Sequence, residues 1–78
     1  MNDLEKLRVL LPHWLEHNAE HAGEFRAWAE RAKAAGEDKL AVQIIAAAEK
    51  MEAANHDLEL AIAYMDKATS TASGGPDA

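Results

Sequence analysis

The sequence predicts an all-α protein, an antiparallel helical hairpin, because two long apolar series of helical period are separated by a short turn. The first series alternates steps of three and four residues through Leu4, Leu7, Leu11, Trp14, Asn18, His21, Phe25, Trp28 and Ala32. The second series continues through Leu40, Ile44, Ala47, Met51, Ala54, Leu58, Ala61, Met65 and Ala68. Such spacing lines one face of a helix. Each series therefore predicts one helix, and the two apolar faces pack against each other.

The turn between the two series has residues that end one helix and begin another. Gly36 is suited to the left-handed backbone conformation that closes a helix. Glu37 and Asp38 then put negative charge at the start of the second helix, where the helix dipole favours it. Because the connection is so short, we expect the helices to run antiparallel.

Pro12 lies inside the first apolar series, where it removes one backbone donor and crowds the carbonyl group of Arg8. We therefore expect either a kinked helix or a separate short helix before the proline. The apolar series crosses Pro12 without losing its phase, which favours the kink. Residues 69–78 have no apolar period and consist mostly of poor helix formers. The predicted organisation is a hairpin domain over residues 1–68 and a disordered tail over residues 69–78.

The chain has 78 residues and no cysteine, so a disulfide cannot supplement a small core. Oligomerisation, a metal or very regular helix packing must stabilise it instead. Four apolar residues of the second helix lie well off its seam, where a two-helix hairpin cannot cover them: Val42, Ile45, Leu60 and Tyr64. The simplest remedy is a homodimer that forms a four-helix bundle.

The formal net charge is −6, and most of it lies in the second half of the chain. Residues 37–78 contain eight acidic and three basic residues. This charge repels phosphate, so we expect neither nucleic acid nor an anionic membrane surface as a partner, whereas a cation is electrostatically favoured. The first residues lack a basic stretch followed by an apolar run, and we expect a cytoplasmic protein without a signal peptide.

Three of the four histidines lie at four-residue spacing on the first predicted helix: His13, His17 and His21. Residues four apart lie one above another on a helix, so neighbouring imidazoles can converge on one metal ion. His17 and His21 are the best-placed pair, and His13 is the third candidate. Glu20 and Glu24 flank the row as secondary candidates, either as ligands or as acceptors that orient an imidazole.

His56 is a further secondary candidate, level with His17 in the hairpin but turned toward a different face. It could complete the site from a dimer partner, or form a separate exposed cluster with Glu52 and Glu59. The alternative without a metal is a polar layer in which His21 accompanies Asn18 and Asn55. Such a layer would fix the register of the helices or form a pH-sensitive interface.

The histidine row also contains the pattern H-x-x-E-H twice, the form of the inverzincin protease motif. A hairpin of this size has no room for a substrate cleft, so we reject that reading. Di-iron sites of helical bundles use E-x-x-H, which the chain lacks. We therefore expect no enzymatic activity.

The string L-P-H-W-x-x-H-N-x-x-H, followed by Phe25 and Trp28, resembles a family of small uncharacterised bacterial and archaeal proteins. Similar helical segments are appended to small nickel-binding accessory proteins of carbon monoxide dehydrogenase maturation. The resemblance covers about residues 4–65. It implies a helical metal-associated domain, with His13, His17 and His21 as the matching positions, and a metalloprotein maturation partner. It does not establish nickel, because the chain contains no β-rich nickel-binding module.

The sequence therefore predicts a small metal-binding helical protein that serves in metal handling or sensing. Imidazole and carboxylate ligands without thiolate suit Ni²⁺, Zn²⁺, Cu²⁺ or Co²⁺. The alternative function is a metal-free dimerisation or protein-interaction module that uses the apolar residues outside the seam.

Overall fold

The protein is a hairpin of two long α-helices, seen in a computed structural model that describes the backbone of residues 2–73 and the side chains up to residue 67. Helix α1 spans Asp3–Ala34 and helix α2 spans Asp38–Ser73. No strand is present within the described part of the chain. The predicted all-α helical hairpin is confirmed. None of the described helices is long and apolar enough to cross a bilayer.

Helix α1 begins with a capping box formed by Asn2 and Glu5. The Asn2 side chain accepts a hydrogen bond from the Glu5 backbone N–H at 2.8 Å, and the Glu5 carboxylate accepts one from the Asn2 N–H at 3.0 Å. The helix then runs through Pro12 without interruption, so the separate short helix considered from the sequence is not formed. One missing donor in a helix of 32 residues leaves the rest of the hydrogen-bond ladder intact.

The turn has the predicted conformation, because Gly36 adopts a left-handed φ of 86°. The Glu37 N–H donates to the Ala32 carbonyl and the Gly36 N–H donates to the Lys33 carbonyl, both at 2.9 Å. This pair of bonds is a Schellman motif, which satisfies the last carbonyl groups of α1. The Glu37 carbonyl in turn accepts the Ala41 N–H at 3.0 Å, the first backbone bond into α2.

Helix α2 extends five residues past the boundary predicted at residue 68. Residues 69–73, expected in a disordered tail, are helical because extending an existing helix avoids the cost of nucleation. The rest of the predicted tail, residues 74–78, lies outside the described residues.

The most deeply buried part of the contact between the helices consists mainly of alanines. The buried apolar side chains are Leu11, Ala22, Ala29, Ala41 and Ala48. Ala48 has no exposed surface, and Ala22 and Ala29 are each 2% exposed. Small side chains at the closest approach allow the two backbones to come near each other.

The apolar series predicts Trp14 and Trp28 at this contact, and that is wrong. The two side chains are 41% and 58% exposed and lie at its flank, and His21 is only half-buried there. The helix is rotated so that the neighbouring Ala22 and Ala29 face α2, because an indole does not fit between two closely packed backbones.

The predicted Asn18–Asn55 layer is replaced by a bond to the backbone. The Asn55 side-chain amide donates to the Leu15 carbonyl at 2.9 Å, and its buried Oδ1 atom has no hydrogen-bond partner among the residues that the structure describes. Asn55 therefore still links the helices at mid-length, which is the register role expected for a polar residue in an apolar seam.

Candidate metal centre

His17 and His21 form a facing pair on the surface of α1. One helical turn separates them, and their Nε2 atoms are 3.0 Å apart. The ring centroids are 4.5 Å apart, with the ring planes at 81°. His17 is exposed and His21 is half-buried against the flank of the hairpin, next to Phe25. The four-residue spacing thus brings two imidazole nitrogens to one point at the protein surface.

Glu24 orients the second of these rings. The His21 Nδ1 atom lies 3.1 Å from Glu24 Oε1. Since a carboxylate only accepts hydrogen bonds, this contact assigns the proton to Nδ1 and leaves the lone pair of His21 on Nε2, which faces His17. A carboxylate that holds an imidazole in this tautomer is the usual outer partner of a metal-binding histidine. Of the two roles considered for Glu24, the geometry fits the acceptor.

The separation of the two nitrogens is compatible with a shared ion. Two nitrogens each about 2.1 Å from one metal subtend about 90° when they are 3.0 Å apart. That is the angle between adjacent ligands in octahedral or square-planar coordination, whereas a tetrahedral angle needs a separation of about 3.4 Å. Without a metal, the same distance fits a hydrogen bond in which His17 Nε2–H donates to His21 Nε2.

The other candidate residues lie apart from this pair. His13 is exposed, and its ring stacks on that of His17, with the ring centroids 6.2 Å apart and the ring planes at 21°. These two rings are therefore roughly parallel, unlike the nearly perpendicular rings of His17 and His21. Glu20 is exposed, and it makes none of the hydrogen bonds or ion pairs found among the described side chains. His56 is also exposed, on α2. Only His17, His21 and Glu24 are brought together.

One chain by itself supplies an incomplete coordination shell. Among the side chains that the structure describes, no group of three His, Asp or Glu residues is arranged to hold a metal ion. The pair offers two nitrogens, and the side chains of His21 and Glu24 are 41% and 67% exposed. Further ligands would therefore come from water, from a substrate or from another protein molecule.

A bidentate ion pair on the other side of the hairpin was not expected from the sequence. Arg26 donates two hydrogen bonds to the Glu52 carboxylate, at 2.7 and 2.9 Å. The bonded guanidinium holds the pKa of Glu52 below its usual range, and the carboxylate raises the pKa of Arg26. Arg26 and Glu52 lie on the flanks of the two helices that adjoin once the chain folds back at Gly36, which is the signal that could have identified them. This contact joins α1 to α2 and takes no part in the histidine pair.

The comparisons with known proteins identify a family but no function. A family described as "Domain of unknown function (DUF8180)" matches residues 7–69. Neither the curated proteins nor the solved structures give a match. The similarity to extensions of nickel-binding accessory proteins therefore stays a prediction.

Proposed function

We propose that this chain, which belongs to the DUF8180 family, is a small metal-binding protein that uses His17 and His21 to hold a divalent transition metal. The observation that carries the proposal is the 3.0 Å separation of the two Nε2 atoms, together with the bond from Glu24 that fixes the tautomer of His21. His13 is the third candidate ligand. Glu20 and His56 remain secondary candidates, which a rotation of the side chain or a partner molecule would have to bring to the ion.

The chemistry of the donors narrows the choice of metal. Imidazole nitrogen suits Ni²⁺, Cu²⁺, Co²⁺ and Zn²⁺, and an angle of about 90° between two nitrogens suits Ni²⁺ and Cu²⁺ better than tetrahedral Zn²⁺. The net charge of −6 favours any of these cations.

An exposed site with two protein nitrogens leaves most coordination positions to exchangeable ligands. Such a site can receive an ion and pass it to another protein more readily than a closed structural site. We therefore propose metal handling or sensing in the cytoplasm, with a metalloprotein maturation partner as the recipient, rather than catalysis. We also propose that α1 bends at Pro12 and that two chains form a dimeric four-helix bundle.

Calorimetric titration of untagged, chelator-treated protein with each of the four metals tests this function. The matched variants each remove two imidazoles, His17→Ala with His21→Ala in one and His13→Ala with His56→Ala in the other. We expect dissociation constants of micromolar or below for the unmodified chain. The first variant should lose binding by about a hundredfold or more, and the second should change it less than about tenfold. Equal losses in the two variants, or binding weaker than millimolar throughout, would overturn the proposal.

The second candidate function is a metal-free dimerisation or protein-interaction module. It is favoured by the number of large apolar side chains that are at least 38% exposed in one chain: Leu4, Val9, Leu10, Trp14, Trp28, Leu40, Val42, Leu60 and Tyr64. Under this reading Leu60→Ser and Tyr64→Ser would abolish self-association, and the histidine substitutions would have no effect on it. Metal titration and sedimentation velocity of the same variants distinguish the two functions, because the metal-free module self-associates without binding any of the four metals.

A further inference from the structure

A groove lies between the two helices near the turn, on the side of the hairpin that holds the Arg26–Glu52 ion pair. Its volume is about 460 Å³, comparable to the roughly 300–1,000 Å³ of many binding pockets. The floor includes Ala29 and Ala41, which are 2% and 7% exposed. Because each of these side chains is a single methyl group, the two helices leave a concavity above them. We call this feature the turn groove.

Aliphatic side chains of α2 form one wall of the turn groove. Val42 is 65% exposed, and Ile45 is half-buried. On the other wall α1 places Glu30 and Lys33, both exposed, and no large apolar side chain of α1 lines the groove. The aliphatic strip is therefore not covered by the opposite helix. An apolar strip with a polar rim is typical of an interaction site.

The rim of the turn groove is mainly acidic. It has three carboxylates and one ammonium group: Glu30, Asp38, Glu49 and Lys33. None of these carboxylates takes part in the ion pairs or side-chain hydrogen bonds found among the described side chains. Glu49 lies near enough to raise the pKa of Arg26, but that guanidinium donates both of its bonds to Glu52. The rim thus has negative charge that the chain itself does not bond.

This charge argues against a second copy of the chain as the occupant. Two turn grooves placed face to face would bring the acidic rims of both copies together, with a single Lys33 from each to compensate them. Like charges opposed across an interface oppose association, whereas a basic partner would complement the rim. Val42 and Ile45 are thereby assigned to a different partner from the homodimer expected from the sequence.

The shape of the turn groove fits a helix. Along α2 its lining extends from Asp38 to Glu49, which is about 16 Å at 1.5 Å per residue. Apolar residues at positions i, i+4 and i+7 of a docked helix span only about 10 Å, so three of them fit within this length. Basic residues beside that apolar stripe would reach Glu30 on one rim and Glu49 on the other.

We propose that the turn groove binds a basic amphipathic helix of a partner protein. Aliphatic side chains of that helix pack on Val42, Ile45 and the alanine floor, and its Lys or Arg side chains pair with the acidic rim. The site is separate from the histidine pair, since Ala29 lies about 12 Å from His21 along the axis of α1. The proposal therefore goes beyond the proposed metal-binding function and does not depend on it.

A designed peptide of leucine and lysine is the probe, about 18 residues long, with the leucines along one face of a helix. Fluorescence anisotropy of the labelled peptide is measured against the metal-free full chain in about 150 mM salt, which screens distant charges. We expect a dissociation constant below about 100 μM. The same peptide with every lysine replaced by glutamate should bind at least about tenfold more weakly.

Two double variants test the charge of the rim. Glu30→Lys with Glu49→Lys reverses one carboxylate on each wall, and Glu16→Lys with Asp57→Lys makes the same change of net charge at exposed positions outside the groove. The first should weaken binding of the leucine–lysine peptide by about tenfold or more, and the second by less than about threefold.

Two valine variants test the apolar contact. Val42→Gln removes an aliphatic side chain from the wall, and Val9→Gln is the control, because Val9 is 61% exposed and lies outside the groove. We expect a loss of about fivefold or more for the first and less than about twofold for the second. Circular dichroism checks that all four variants remain helical.

Equal losses within either pair of variants would overturn the proposal, as would peptide binding weaker than about 1 mM. Sedimentation velocity of the metal-free chain tests the other occupant. If Val42→Gln weakens self-association and Val9→Gln does not, a second copy covers the groove, and the proposal of a basic helix is wrong.

Discussion

Replacing Glu24 by Gln tests whether the histidine pair is built as a metal site. The substitution keeps the size of the side chain and removes the charge that holds the His21 Nδ1–H, 3.1 Å from Glu24 Oε1. Without that charge, His21 samples both tautomers and its Nε2 atom is a weaker ligand. Loss of such an outer partner typically lowers metal affinity by 10–100-fold, which is about 1.4–2.7 kcal/mol.

We expect the lower end of that range, about tenfold or 1.4 kcal/mol, for two reasons. The Glu24 side chain is 67% exposed, so water screens its charge. The amide oxygen of the introduced Gln can still accept the Nδ1 proton as a weaker, neutral acceptor.

Glu20→Gln is the matched control for this prediction. It makes the same change of charge on the same helix, one residue from His21, but Glu20 makes none of the hydrogen bonds or ion pairs described at the row. Isothermal titration with the tightest-binding metal should give about a tenfold loss for Glu24→Gln and less than about threefold for Glu20→Gln. Equal losses of affinity would mean that only the total negative charge near the histidines affects metal binding. The reasoning from the tautomer and the geometry of His21 would then be refuted.

Two further predictions concern the hairpin. Ala48→Leu places a large side chain where Ala48 has no exposed surface, and it should reduce the free energy of unfolding by about 1–3 kcal/mol in urea denaturation. Ala63→Leu, at an exposed position, should change the free energy of unfolding by less than about 0.5 kcal/mol. Similar effects of the two substitutions would contradict the alanine contact. Glu52→Gln removes the partner of Arg26, and because the pKa of Glu52 is lowered in the folded state, its contribution is present at neutral pH and is lost as the pH falls through that lowered pKa. Melting temperatures of Glu52→Gln and the unmodified chain should therefore differ at pH 7 and converge in strong acid, well below about pH 4; a difference that persists there would argue against the ion pair.

The helices, the turn and the histidine pair could all be predicted from local information. An alternation of three and four residues predicts a helix whatever it packs on, and Gly36 is the only residue of the turn that is free to adopt a φ of 86°. The meeting of His17 with His21 also follows from helical geometry, because residues four apart are neighbours on the same helix. Each of these predictions depends only on interactions over one or two helical turns.

The rotation of the helices about their axes could not be predicted in this way. Apolar residues occupy two adjacent rows of α1, one containing Trp14 and Trp28 and the other Ala22 and Ala29, and hydrophobicity alone favours the larger side chains at the contact. The choice depends on the partner surface, where Ala48 allows close approach only to another small side chain.

The sequence by itself determined that this protein is two helices joined at Gly36, with His17 and His21 on one turn of the first. The tertiary structure decided which row of α1 faces α2, and hence that the tryptophans lie on an exposed face. It also decided that Glu24 orients His21 and that Arg26 pairs with Glu52. The physical reason is that helix formation is governed by neighbours along the chain, whereas packing depends on the shapes of surfaces that meet only after the chain has folded back.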